Sequence, residues 1–204
     1  MRHIKLLIDR YPQLAACEKD IMQAVEAIVS MHKAGGALLL CGNGGSAADC
    51  EHISGELLKG FLLKRPLNAS DRNGISNEIA ERLQGGIRAI PLTSLSALGT
   101  AFSNDVDAEL VYAQLVSVLG DDKGVFLGIS TSGNAKNVCA AAEVARARGM
   151  KTVGLTGASG GRLAELCDLT VRVPEKETFK VQELHLPVYH SICAEVEEIV
   201  FGEV

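Results

Sequence analysis

The sequence predicts a doubly wound α/β fold: one five-stranded parallel sheet between helices. Three observations predict it. Five short apolar runs recur along the chain, most followed by Gly, Ser or Thr and then by a helical pattern. The runs show little polar alternation, as strands buried on both faces should. A hydrophobic fraction of 47% in 204 residues suits one substantial core, so residues 1–204 read as a single domain.

Taken in order, residues 14–33 read as a long amphipathic helix and residues 37–41 as the first strand. A second helix is predicted over 46–59, and a strand over 89–92. Helices over 108–119 and 137–148 then flank a strand at 125–129. Gly149 stands where a left-handed cap ends the second of these helices. Strands at 152–155 and 169–173 precede a last helix at 181–201, which Pro187 must kink or mark as a broken first turn. Residues 68–86 interrupt the alternation as a polar, Gly-containing insertion. Ile75, Ile79 and Leu83 recur there every four residues, so the insertion carries a short amphipathic helix as a surface excursion, a lid or a subunit contact. The first and last helices, long for so small a sheet, are expected to contribute to subunit contacts.

Acidic residues outnumber basic ones, 25 to 20, for a net charge of −5, and aromatics make up 4% with no Trp. Such a surface argues against a nucleic-acid partner. No apolar run is long enough to span a bilayer, and Arg2, Lys5, Asp9 and Arg10 interrupt any signal-peptide core, so no membrane role is expected. Six scattered cysteines without C-x-x-C spacing fit reduced thiols in the cytoplasm.

Ligands of an open parallel sheet bind at the carboxyl ends of its strands. Two loops there suit anions. Gly42-Asn43-Gly44-Gly45-Ser46 lets backbone N–H groups approach a ligand at a helix N-terminus, and Ser130-Thr131-Ser132-Gly133-Asn134 offers three consecutive hydroxyls. A third, from Thr156 to Gly161, repeats the theme more weakly. One such loop is more often a plain turn with a helix cap; two at successive strand ends point to phosphate. Neither matches a dinucleotide fingerprint or a Walker loop. His52 and Glu56, four apart, share a helix face, suited to a metal or to a base beside its orienting partner. Gln182 and His190, eight apart on the last helix, can face one side, with His185 between them. Each taken alone is more often structural.

These four blocks, in this order over nearly the whole chain, resemble the sugar isomerase (SIS) domain family, and within it the phosphoheptose isomerases. The resemblance implies a five-stranded parallel sheet, a homotetramer with sites completed across subunits, and one zinc ion per subunit held by His52, Glu56, Gln182 and His190. It implies sugar-phosphate contacts from Asn43, Gly44, Gly45, Glu56, Asn104, Asp105, Ser130, Thr131, Ser132 and Gln182. Two positions depart from the family pattern. Ala135 replaces a common Ser, and Gly60 stands near an expected basic residue, for which Lys59, Lys64 or Arg65 lies close enough in sequence to substitute.

The implied reaction is aldose–ketose isomerisation, sedoheptulose 7-phosphate to D-glycero-D-manno-heptose 7-phosphate. Glu56 is the expected base at carbon, and His190 the acid/base partner at oxygen. Two other readings compete: a non-catalytic scaffold of the DnaA initiator-associating type, and a sugar-phosphate sensor. The scaffold lacks the acid at the position of Glu56 and the His at the position of His190, and both are present here.

Overall fold

A computed structural model describes residues 1–202 of the chain. Five parallel strands form one sheet: β1 Leu38–Gly42, β2 Ala89–Pro91, β3 Val125–Ser130, β4 Lys151–Thr156 and β5 Leu169–Arg172, in the order β2-β1-β3-β4-β5. Leu38 of β1 lies opposite Ala89 on one side and Val125 on the other. Nine α-helices among the described residues cover the sheet: α1 Arg2–Arg10, α2 Glu18–Lys33, α3 Gly45–Leu58, α4 Asn77–Ala80, α5 Ser96–Phe102, α6 Val111–Leu119, α7 Lys136–Ala147, α8 Gly161–Leu166 and α9 Thr178–Phe201.

The pleat of β1 shows why the strand reads as a continuous apolar run. Leu38 and Leu40 point into a core shared with Ile4 of α1, Ile21 of α2, Ile53 of α3 and Val188 of α9. Leu39 and Cys41 point the other way, toward Val116 of α6, Val138 of α7 and Leu163 of α8. Alternate side chains thus serve two cores, and neither face has room for a polar residue. All six cysteines are free, and none of the described helices is long and apolar enough to cross a membrane.

Several elements differ from expectation. The helix predicted from Leu14 begins at Glu18, after a 3₁₀ segment Pro12–Cys17 whose Leu14 and Cys17 are buried. The apolar spacing runs through the break because a 3₁₀ turn also stacks residues three apart. The unpredicted α1 buries Ile4 and Leu7, while Arg2, Lys5, Asp9 and Arg10 of the same segment are not buried. Helices α5 and α8 are likewise unpredicted. In the 68–86 segment only one helical turn forms, and Ile79 and Leu83 are exposed rather than facing a core. Pro187 neither ends α9 nor breaks its first turn: the helix runs unbroken from Thr178 to Phe201. The carbonyl that loses its partner belongs to Glu183, on the exposed side, where water can replace the missing N–H. Gly149 does adopt a left-handed φ of 77° past the end of α7, and the Met150 N–H returns to the Ala145 carbonyl at 3.1 Å.

Candidate functional site

The strand order reverses between β1 and β3, which opens a crevice at their carboxyl ends. Both predicted loops leave the sheet there. In the first, the Gly42 carbonyl accepts from the Tyr112 hydroxyl at 2.7 Å, and the Asn43 amide pairs reciprocally with that of Asn137, at 2.8 and 2.9 Å. Gly44 has φ of 55° at the helix N-cap, a conformation open to glycine at little cost. Gly45 lies so close to α9 that a Cβ there would fall 2.5 Å from the Gln182 amide nitrogen. Gln182 therefore rests against the first loop.

The second loop begins with buried Ser130, then half-buried Thr131 and exposed Ser132. The Asn134 N–H donates to Ser132 Oγ at 3.2 Å, and the Asn134 side chain accepts from the Arg162 N–H at 2.9 Å. The third loop, expected as a weaker anion site, braces the second. Its Gly157 N–H donates to the Thr131 carbonyl at 3.0 Å, and the Leu163 N–H just beyond it to that of Gly133 at 2.8 Å. Ala135, the N-cap of α7, makes no side-chain cap bond.

Helices α3 and α9 pack together and bring His52, Glu56 and His190 into one cluster. His52 Nε2 lies 3.3 Å from Glu56 Oε1 and 3.3 Å from His190 Nε2, and one ligand atom from each of the three residues falls within 4.8 Å of the others. The i,i+4 spacing on α3 sets the first pair; the second depends on how α9 crosses α3. Behind the cluster stands a group that the sequence reading missed. The Tyr189 hydroxyl lies 3.0 Å from His52 Nδ1 and 3.2 Å from Asp49 Oδ1. Burial, reinforced by Asp49, pushes the Tyr189 hydroxyl up, so it stays protonated and bridges the two. With Nδ1 thus engaged, His52 presents Nε2 to the cluster. Asp49 was findable as the residue three before His52 on the same helical face; Tyr189 carried no signal beyond being next to His190. Burial lowers the His190 imidazole, His52 adds to this and Glu56 opposes it, so the ring is neutral near pH 7, with a lone pair available.

The donor set fits a metal. Two imidazole nitrogens and a carboxylate oxygen are the ligand types of a catalytic zinc site that keeps an open position.

Asn104 and Asp105 are not part of this cluster. They lie in an exposed π-helical turn, Ser103–Asp107, where the Asn104 amide donates to Asp105 at 2.9 Å. Asn104 lines an open cleft of about 600 Å³ with Tyr112 and Asn137, which connects it to the first loop through the Asn137–Asn43 pair. Of the three cations near Gly60, Arg65 is fully buried in an ion pair with Glu197 and cannot substitute for a basic residue at the site. Lys59 reaches within 3.6 Å of Glu56 Oε2, while Lys64 is exposed and has no ion-pair partner among the described residues.

The SIS domain family matches the chain over residues 99–194 and again over residues 7–72. The phosphoheptose isomerase of Aneurinibacillus thermoaerophilus is 36% identical over 188 residues, 90% of this chain and 85% of that protein. Phosphoheptose isomerase 2 of Campylobacter jejuni is 40% identical over 90% of this chain and 82% of its own length. Among solved structures, a phosphoheptose isomerase from Francisella tularensis superposes with a TM-score of 0.77 at 31% identity, covering 93% of this chain and 91% of that one. The enzyme from Neisseria gonorrhoeae gives 0.74 at 29% identity, over 95% and 94%.

Proposed function

The chain belongs to the phosphoheptose isomerase family of SIS-domain proteins, and from that premise we propose that it converts sedoheptulose 7-phosphate to D-glycero-D-manno-heptose 7-phosphate. The observation that carries the reading is the His52–Glu56–His190 cluster, on the two helices that also bear the first loop and Gln182.

Aldose–ketose isomerisation moves a proton between adjacent carbons through an enediol. Glu56, with its side chain 17% exposed beside His52 and Lys59, takes the proton from the carbon next to the carbonyl and returns it to the neighbouring carbon. His190, neutral near pH 7, accepts and donates at the sugar oxygens. The hydroxyls of Ser130, Thr131 and Ser132, with the backbone of Asn43, Gly44 and Gly45, anchor the phosphate away from the reacting carbons, so that its binding energy orients them. Asn104 contacts the sugar from the cleft lined by Asn137, with Asp105 hydrogen-bonded beside it as the second sugar contact. His52, Glu56 and His190, with the Gln182 amide oxygen as fourth ligand, would hold zinc. Zinc bound there would stabilise negative charge developing on the substrate oxygen.

The wider assignment is a cytoplasmic homotetramer formed of a single SIS domain with an insertion at 68–86. Exposed Leu95, Leu98, Val106 and Leu110 support the assembly, as do Phe179, Leu186 and Ile199 on α9. Helix α2 shows no comparable large apolar residue, so the expected role of the first long helix falls to α5 and the turns after it.

The deciding experiment assays the zinc-loaded protein against a panel of ketose and aldose phosphates, with sedoheptulose 7-phosphate first. Conversion of that ketose is the expected result. No turnover of any member, with retained sugar-phosphate binding, would replace the enzyme with a sensor; neither turnover nor binding would leave a scaffold.

A further inference from the structure

We infer that the buried ion pair between Arg65 and Glu197 positions the reaction centre, holding the end of α3 that carries Glu56 against the part of α9 that carries His190. The inference rests on reading the His52–Glu56–His190 cluster as that centre.

Arg65 is 1% exposed, an uncommon place for a guanidinium, and each of its three nitrogens donates to an acceptor. Nε donates to Glu197 Oε1 at 2.7 Å, Nη1 to the Leu57 carbonyl at 2.8 Å, and Nη2 to the Glu56 carbonyl at 3.1 Å. Those carbonyls lie in the last turn of α3, where no intrahelical N–H remains to meet them. The residue that follows, Lys59, is extended at φ −137°, so no glycine-type cap closes the helix. Arg65 meets both carbonyls from farther along the chain, sharing that of Leu57 with the Ile87 N–H at 2.9 Å, and its other bond ends on the backbone of Glu56 itself.

Glu197 does the reciprocal work. Besides Arg65, its carboxylate accepts the N–H groups of Phe61 at 2.8 Å, Leu62 at 2.7 Å and Leu63 at 3.1 Å. Burial pushes this carboxyl up, but the Phe61 and Leu62 N–H groups and Arg65 outweigh it and hold it below the ordinary glutamate range, so it is charged at neutral pH. The Phe61 ring fixed by this wrapping sits 5.7 Å from the His190 ring. Glu197 follows His190 by seven residues, about two turns of the same helix. One ion pair therefore ties together the backbone of Glu56, the aromatic wall beside His190 and the helix that bears His190. A buried pair is a poor stabiliser compared with well-packed apolar groups, which leaves geometry as what this one supplies.

Three variants test this: Arg65→Lys, Glu197→Gln, and the double Arg65→Met/Glu197→Leu. Lysine keeps the charge but cannot reach three acceptors at once; the double variant removes the pair without stranding a buried charge. Each is measured for thermal midpoint, for affinity toward zinc ion alone by calorimetry, and for kcat and KM on sedoheptulose 7-phosphate. The double variant strands no charge but takes the acceptor from the Phe61, Leu62 and Leu63 N–H groups, so it should fold with a lowered midpoint and bind zinc about tenfold or more weakly. Its kcat should fall similarly while KM stays close to the parent's, because the phosphate loops lie elsewhere. Should the double variant not fold, Arg65→Lys carries the same expectation. A folded variant with the parent's zinc affinity and kcat would overturn the inference. Failure of the parent to turn over any sugar phosphate would sink the isomerase reading alone, since zinc affinities still compare parent with variant. A crystal structure of Arg65→Lys needs neither metal nor substrate: a Glu56–His190 separation equal to the parent's would also overturn it.

Discussion

Acid should weaken this protein through His185, a residue that the mechanism does not use. The side chain is fully buried on α9, and neither ring nitrogen finds a partner in good hydrogen-bond geometry among the described residues. Burial drives the imidazole down from 6.5 to about 4, an effect that the nearby Thr156 backbone only partly offsets. Between those values the unfolded chain binds a proton that the folded chain refuses, so stability rises with pH across the window and is lost as pH falls from 6.5 toward 4. At about 1.4 kcal/mol per pH unit, the lowering corresponds to roughly 3 kcal/mol, a large share of a typical 5–15 kcal/mol total. Urea unfolding at half-unit steps from pH 4 to 8, for the parent and for His185→Leu, isolates this contribution. Other titrating groups, Glu197 and His190 included, cancel in the difference between the curves. The parent should lose stability toward pH 4 more steeply than His185→Leu, with the gap opening below 6.5. Parallel curves would refute the reasoning.

Glu56→Gln keeps an oxygen ligand but no base, so turnover should drop at least about a hundredfold with some zinc retained, and a variant that isomerises normally would remove Glu56 from the base role. His190→Ala should lose zinc affinity and turnover together; metal content by atomic emission beside kcat checks it. Gly45→Ala places a methyl 2.5 Å from the Gln182 amide nitrogen, at the movable end of that side chain. The fold should survive while zinc and substrate bind more weakly, and unchanged zinc affinity would show that Gln182 is no ligand. Ser132→Ala should raise KM with the thermal midpoint unmoved, which steady-state kinetics and a melting curve report; a structure with sulfate bound far from both loops would contradict it.

The parallel sheet was legible because its inner strand β1 is apolar on both sides, and Leu38 to Cys41 can be read without knowing which neighbour each residue meets. The break before Glu18 was not, since Leu14, Cys17 and Ile21 keep a helical spacing through the 3₁₀ turn. At the site, His52 and Glu56 share one helix and their meeting follows from the spacing. The approach of His190 to His52 depends on a helix crossing that no local pattern encodes. Arg65 shows the opposite error. From sequence it looks like a spare surface cation, and only its carboxylate partner 132 positions away reveals it as buried.

Helix α9 acts as the ruler of the site. Gln182 against the first loop, Tyr189 and His190 at the cluster, and Glu197 beneath the 61–63 turn are all marks on one continuous rod. Each residue advances an α-helix by about 100°. Gaining or losing one residue between Gln182 and Glu197 would therefore swing one set of marks out of phase with the other, whatever residue was added or removed. Changes in chain length belong in 68–86, where the chain returns through a single bridge between Pro66 and Gln84 and carries no such phase.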